Sequence, residues 1–124
     1  MKKSRLFVMI GGRGQGLMSR AILLAEQSGK PFGVMAPTRS AAAEIMKQHA
    51  VEARSVRSRL PDNTWDTFVF VEAQSMRCQD FIKAFAHAKD RGASVIVAGH
   101  PPTKKSGEWI LKLADAGFTA ERAT

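Results

Sequence analysis

Apolar residues in this chain come in short blocks separated by glycine, proline and charge, and the blocks change period along its length. Arg5 to Ile10 ("RLFVMI") is a continuous apolar run ending in glycine, which suits a strand buried on both faces. From Leu17 to Ser28 the apolar positions widen to Leu17, Ala21, Leu24 and Ala25, a helical spacing that Gly29 stops. Pro31 to Pro37 ("PFGVMAP") is a second strand-like run. Thr38 or Ser40 then caps a helix reaching about Ala50, with Ala42, Ile45, Met46 and His49 on one face. Val51 to Trp65 keeps neither period, and its Pro61-Asp62-Asn63 is a turn signal. Asp66 to Gln74 is β-branched and aromatic, a third strand; Phe81, Ala84, Phe85 and Ala88 mark a helix that ends before Gly92. Ala93 to Gly99 is a fourth buried strand, and Trp109, Ile110, Leu113 and Ala114 begin a last helix closed by Gly117.

Strand and helix alternate throughout, which predicts an α/β domain: a three-layer sandwich built on a mainly parallel sheet. A length of 124 residues fits a single domain, residues 1–124. In sheets of this kind ligands sit at the carboxyl ends of the strands. The loops to watch are therefore Gly11–Gly16, Ala36–Arg39, Glu72–Arg77 and Gly99–Gly107.

Composition narrows the setting. No apolar run approaches the length of a membrane span, and the basic start with its five-residue apolar run reads as a strand rather than a signal peptide. Cys78 is the only cysteine, so no internal disulfide forms, and a cytoplasmic setting (the host cytoplasm if the source is viral) is expected. Nineteen Lys and Arg against 11 Asp and Glu give a net charge of +8, which attracts a polyanion whatever the fold. Arg39, Arg54, Arg57, Arg59, Lys104 and Lys105 are the candidate phosphate contacts; a solvated basic face is the plainer alternative. Trp65 and Trp109 either stack on bases or pack in the core, and His49, His87 and His100 lack metal-ligand spacing.

The glycine loop carries the most chemistry. Gly11, Gly12, Gly14 and Gly16 follow an apolar strand and precede a helix, so successive backbone N–H groups can turn inward around an anion. Ordinary strand-to-helix turns use glycine as well. Glu72 closes the third strand, where an acid can orient water or simply leave the sheet.

Taken in order, "GGRGQG" (Gly11–Gly16), "APTRSAAAEI" (Ala36–Ile45), "FVFVEAQ" (Phe68–Gln74) and "VIVAGHPP" (Val95–Pro102) resemble the ATPase core of phage terminase large subunits, the motors that package viral DNA, and more broadly RecA-like P-loop NTPase domains. The resemblance runs from about Leu6 to Trp109 and covers only the ATPase part of such a motor. It implies a nucleotide site at Gly11, Gly12, Arg13, Gly14, Gln15, Gly16, Leu17, Met18 and Ser19, a catalytic glutamate at Glu72, and a coupling loop at Gly99 and His100. It also implies a strand order of 1-4-3-2 among the four strands above, with "FGVMA" outermost and right-handed crossovers.

The departures bear on function. The lysine of the glycine loop falls on Leu17, the magnesium-holding hydroxyl on Met18, and the magnesium aspartate on Val71. Ser19 stands one place too late, and His100 stands where asparagine is common. Losing one preorganised charge-stabilising contact costs about a hundredfold in rate or more, and here several are lost around one charge. The resemblance then implies ATP held weakly by backbone alone, magnesium without its protein ligands, and no significant hydrolysis. DNA, or a DNA-handling protein, is the expected partner. The alternative is an active packaging or helicase ATPase completed by partner subunits; a plain interaction module is a third possibility.

Overall fold

The structure is a computed structural model that describes residues 6–11, 16–57, 65–101, 109–110 and 120–122. In chain order the elements are β1 (Leu6–Ile10), α1 (Leu17–Gln27), β2 (Phe32–Ala36), α2 (Arg39–His49), β3 (Ala53–Ser55) and β4 (Thr67–Phe70). A single 3₁₀ turn (Ala73–Ser75), α3 (Cys78–Asp90), β5 (Ser94–Gly99) and β6 (Ala120–Arg122) follow. They form an α/β fold in which every strand pairing is parallel and helices cover both faces.

Alternation along the strands separates the two layers of core. Met9, Val34, Ala36, Val69, Val71, Ile96 and Ala98 face α1 and α2, where they cluster with Leu17, Ala21, Ile22, Ala25, Ala42 and Ile45. Their neighbours Val8, Ile10, Met35, Phe68, Phe70, Val95 and Val97 face the opposite way, against Phe81, Ala84 and Ala88 of α3 and against Trp65 and Ile110. Because side chains alternate with period two, a strand apolar at every position serves both layers at once.

The sheet runs β3-β2-β4-β5-β1-β6. The four strands expected from the sequence lie in it as β1-β5-β4-β2; what is corrected is the edge, since among the described residues the sheet has six strands and β3 lies outside β2, so "FGVMA" is not outermost. Val34, Met35 and Ala36 of β2 pair with Ala53, Arg54 and Ser55. Three residues with an arginine at the centre are too few to show a period, which is why this edge strand is hidden in the sequence. β6 is equally short. In the middle of the sheet β5 lies between β1 and β4, with Ile96 opposite Phe7 on one side and Val69 on the other.

Helix ends follow local chemistry. Thr38 caps α2, its Oγ1 accepting from the Ala41 N–H at 3.1 Å. On that helix Ala42 and Ile45 are buried, but Met46 is 44% exposed, so the apolar face is narrower than the spacing predicts. Trp65 belongs to the core, and Trp109 packs against it. The Trp65 indole is 1% exposed, donates from Nε1 to Glu52 Oε2 at 2.7 Å, and meets Phe68 edge-on at 5.1 Å. Gly33 makes room for it: a Cβ there would lie 1.9 Å from Trp65 Cε2. Trp109 donates to the Met76 carbonyl at 3.0 Å and packs on Phe81 with ring centres 4.3 Å apart. Among the described residues no helix is long and apolar enough to cross a membrane.

Candidate functional site

Three strand ends meet at one side of the sheet: Gly11 after β1, His100 after β5, and Glu72 just past β4. The Gly11 N–H donates to the Gly99 carbonyl at 3.2 Å, which carries the pairing of β1 with β5 past the strand ends. His100 then bridges outward on both sides. Its Nδ1 lies 2.7 Å from the Gly11 carbonyl oxygen. A carbonyl only accepts, so Nδ1 holds a proton and Nε2 is turned toward Glu72, 3.7 Å from its Oε1.

Gln74 completes the arrangement. Its Oε1 accepts from the His100 backbone N–H at 2.9 Å, which orients the amide and points Nε2 at Glu72 Oε2, 2.8 Å away. Backbone geometry brings these groups round. Val71 still donates to the Met35 carbonyl at 3.0 Å, and Glu72 then turns at φ 51°, a left-handed conformation in a residue other than glycine. Such a conformation costs about 1–3 kcal/mol and is held by its surroundings. Here the Ser75 N–H closes the turn on the Glu72 carbonyl at 3.0 Å. Gly99 is needed for packing at this point, since a Cβ would come within 2.7 Å of Gln74 Oε1 and 2.9 Å of Ile110 Cδ1.

The space between Glu72, Gly99, His100, Ala98, Leu17 and Met18 is a slot of about 10 Å³, close to the volume that holds one water. Leu17 is 3% exposed and belongs to the core layer under α1, and Met18 packs against the same layer. Ser19 is exposed on the first turn of α1. Gly16 starts that helix in the left-handed conformation (φ 63°) with no side-chain cap. Gly12, Arg13, Gly14 and Gln15 lie outside the described residues.

The magnesium that the resemblance implies does not fit the residues present. The lysine position is filled by a core leucine and the hydroxyl position by a thioether, while the Glu72 carboxylate already accepts from Gln74 and faces an imidazole. Among the described residues no three His, Cys, Asp or Glu side chains are grouped to hold a metal ion.

A second feature lies further along the same edge. Pro37, Thr38, Arg39, Ser55 and Arg57 line an open polar notch of about 420 Å³ past the ends of β2 and β3. The structure thus brings together two of the six basic residues singled out in the sequence, Arg39 and Arg57. Arg54 is occupied elsewhere: it pairs with Glu52 at 3.5 Å and lies 5.9 Å over the Trp65 ring. Arg59, Lys104 and Lys105 fall outside the described residues. Sequence reasoning missed Gln74 and Ser55. Gln74 stands in the quoted "EAQ", where its side chain signals a hydrogen-bonding role; Ser55 had no signal without the strand that presents it. No protein-family model matches the chain, and no curated protein matches it.

Proposed function

We propose that the chain is a degenerate P-loop NTPase-like domain, akin to the ATPase core of phage terminases, that binds DNA or a DNA-handling assembly and does not hydrolyse ATP on its own. One observation carries this reading: Leu17, at the position of the phosphate-binding lysine, is 3% exposed within the apolar layer beneath α1. A side chain committed to the core supplies no charge to a phosphate. The slot beside it has about 10 Å³, close to the volume that holds one water.

The surroundings of Glu72 support the same reading. Its carboxylate is held by Gln74 and set against His100, so the acid acts as a tie between the ends of β4, β5 and β1. Nucleic-acid attachment rests on charge. A net +8 draws in a polyanion, and Arg39 and Arg57 stand at the carboxyl edge with no carboxylate partner among the described residues. Each phosphate neutralised adds about 0.9 to the slope of log affinity against log salt on duplex DNA.

Two measurements on the purified chain test the proposal together: anisotropy of a labelled DNA duplex across a salt series, and phosphate release from ATP with magnesium, with and without DNA. Salt-sensitive binding without phosphate release is the expected result. Saturable phosphate release by the chain alone overturns the non-hydrolysing reading, and absence of DNA binding at low salt overturns the nucleic-acid reading.

A further inference from the structure

The notch past β2 and β3 is more specific than a basic surface. Ser55 is 6% exposed, and its Oγ accepts from the Arg57 N–H at 3.2 Å, which fixes the turn that presents Arg57. The Val56 N–H donates to the Ala36 carbonyl at 2.7 Å and locks the same turn against the end of β2. Arg39 lines the same notch from a different element, at the first position of α2. The start of α2, where the Ala41 N–H is already taken by Thr38, forms only part of the notch; Ser55 and Arg57 come from the end of β3 and the turn after it. The notch rests on two guanidinium groups without carboxylate partners among the described residues, carried on separate elements, with the Ser55 hydroxyl proton still free to donate. At about 420 Å³ it falls in the size range of small-ligand sites.

Charge selects the ligand. Two cations on neighbouring elements match one dianion better than an internal diester, which carries a single charge, and a phosphomonoester carries about −1.5 to −2 at neutral pH. Guanidinium groups also bind such oxygens through paired, charge-assisted hydrogen bonds. We propose that the Arg39–Arg57 notch binds a phosphomonoester, either the 5′-phosphate at the end of a nucleic-acid strand or that of a free mononucleotide. This deepens the nucleic-acid reading above and rests on it for the strand-end occupant: the domain would recognise ends, not only backbone.

The test compares two single-stranded DNA oligonucleotides of one sequence, both labelled at the 3′ end, one with a 5′-phosphate and one with a 5′-hydroxyl. The 5′-phosphate strand is expected to bind about tenfold more tightly, as two added charge-assisted contacts allow, and inorganic phosphate should erode the difference. Arg39→Gln and Arg57→Gln should each abolish the preference while lowering the affinity of the 5′-hydroxyl strand far less. Both side chains are exposed, so unchanged melting temperatures will show that the variants remain folded. Equal affinity for the two strands, unaltered by Arg57→Gln, overturns the notch and leaves the nucleic-acid reading standing. If neither strand binds but adenosine 5′-monophosphate does, and Arg57→Gln removes that binding, the notch stands and the nucleic-acid reading falls.

Discussion

Placing a cation at position 17 separates a core position from a phosphate-binding one. Leu17→Lys places an amine where the resemblance puts the phosphate-binding lysine. Leu17 is 3% exposed and shares a cluster with Met9, Ala21, Ile22 and Ala98. Removing a buried leucine forfeits about 1.5–3 kcal/mol. An amine left in that layer at pH 7 has to shed its proton, and moving its pKa from about 10.4 to about 7 adds about 4–5 kcal/mol. The total is about 6–8 kcal/mol for a dry amine, and at least about 2 kcal/mol for one that reaches water. Against a typical global stability of about 5–15 kcal/mol, that is a melting temperature lowered by about 10–25 °C, or no folded protein. The sign with pH is fixed. The unfolded chain binds more protons than the folded one, so the deficit shrinks as pH rises from 7 toward the ordinary lysine value. Thermal melts by circular dichroism at pH 7 and near pH 10 measure both effects, with Leu17→Met as a control costing less than about 1.5 kcal/mol. A Leu17→Lys protein that melts with the parent and releases phosphate saturably refutes the reasoning, because position 17 would then face the ligand.

Two further substitutions probe the frame and the site. Gly33→Ala drives a methyl group into the Trp65 indole, where a Cβ stands 1.9 Å from Cε2; overpacking of this kind costs about 1–3 kcal/mol, and near-ultraviolet circular dichroism should register the displaced indole. A variant with the parent's melting temperature and aromatic signal would show that Trp65 does not lie over Gly33. Gln74→Ala removes the acceptor of the His100 N–H and the donor to Glu72, a loss of about 1–3 kcal/mol because part-buried polar groups are left without partners. Hydrogen exchange at the His100 amide should quicken beyond the change at core amides of β5, and equal protection in both proteins would dissolve the proposed tie.

How much of this was legible depended on how many residues spoke for each feature. The runs at Leu6–Ile10, Phe32–Ala36, Thr67–Phe70 and Ser94–Gly99 each carry unbroken apolar sequence, and each is a strand. Ala53–Ser55 has three residues and an arginine in the middle; its pairing with Val34–Ala36 comes from neighbours far along the chain, not from any pattern of its own. Met46 shows the opposite failure. Its spacing from Ala42 and Ile45 is helical, yet it stands at the margin of the apolar stripe and remains 44% exposed. At the site, Glu72 and His100 were marked by their positions after strands, and they do meet. That Leu17 points into the core was foreshadowed by its helical spacing from Ala21 and Ala25. The joining of Arg39 to Arg57 was not legible, because it depends on β3 lying beside β2.

The position of β1 has a consequence for how the protein is made. Its two sheet neighbours, β5 and β6, come from residues 94–99 and 120–122, so β1 waits for segments far along the chain before it finds its place. Until then "LFVMI" is an unsatisfied apolar edge, the kind of segment that invites pairing between nascent chains. Closure of the centre of the sheet is therefore held back until residues 94–99 have been made, and a chain cut before Ser94 would leave β1 without its inner neighbour.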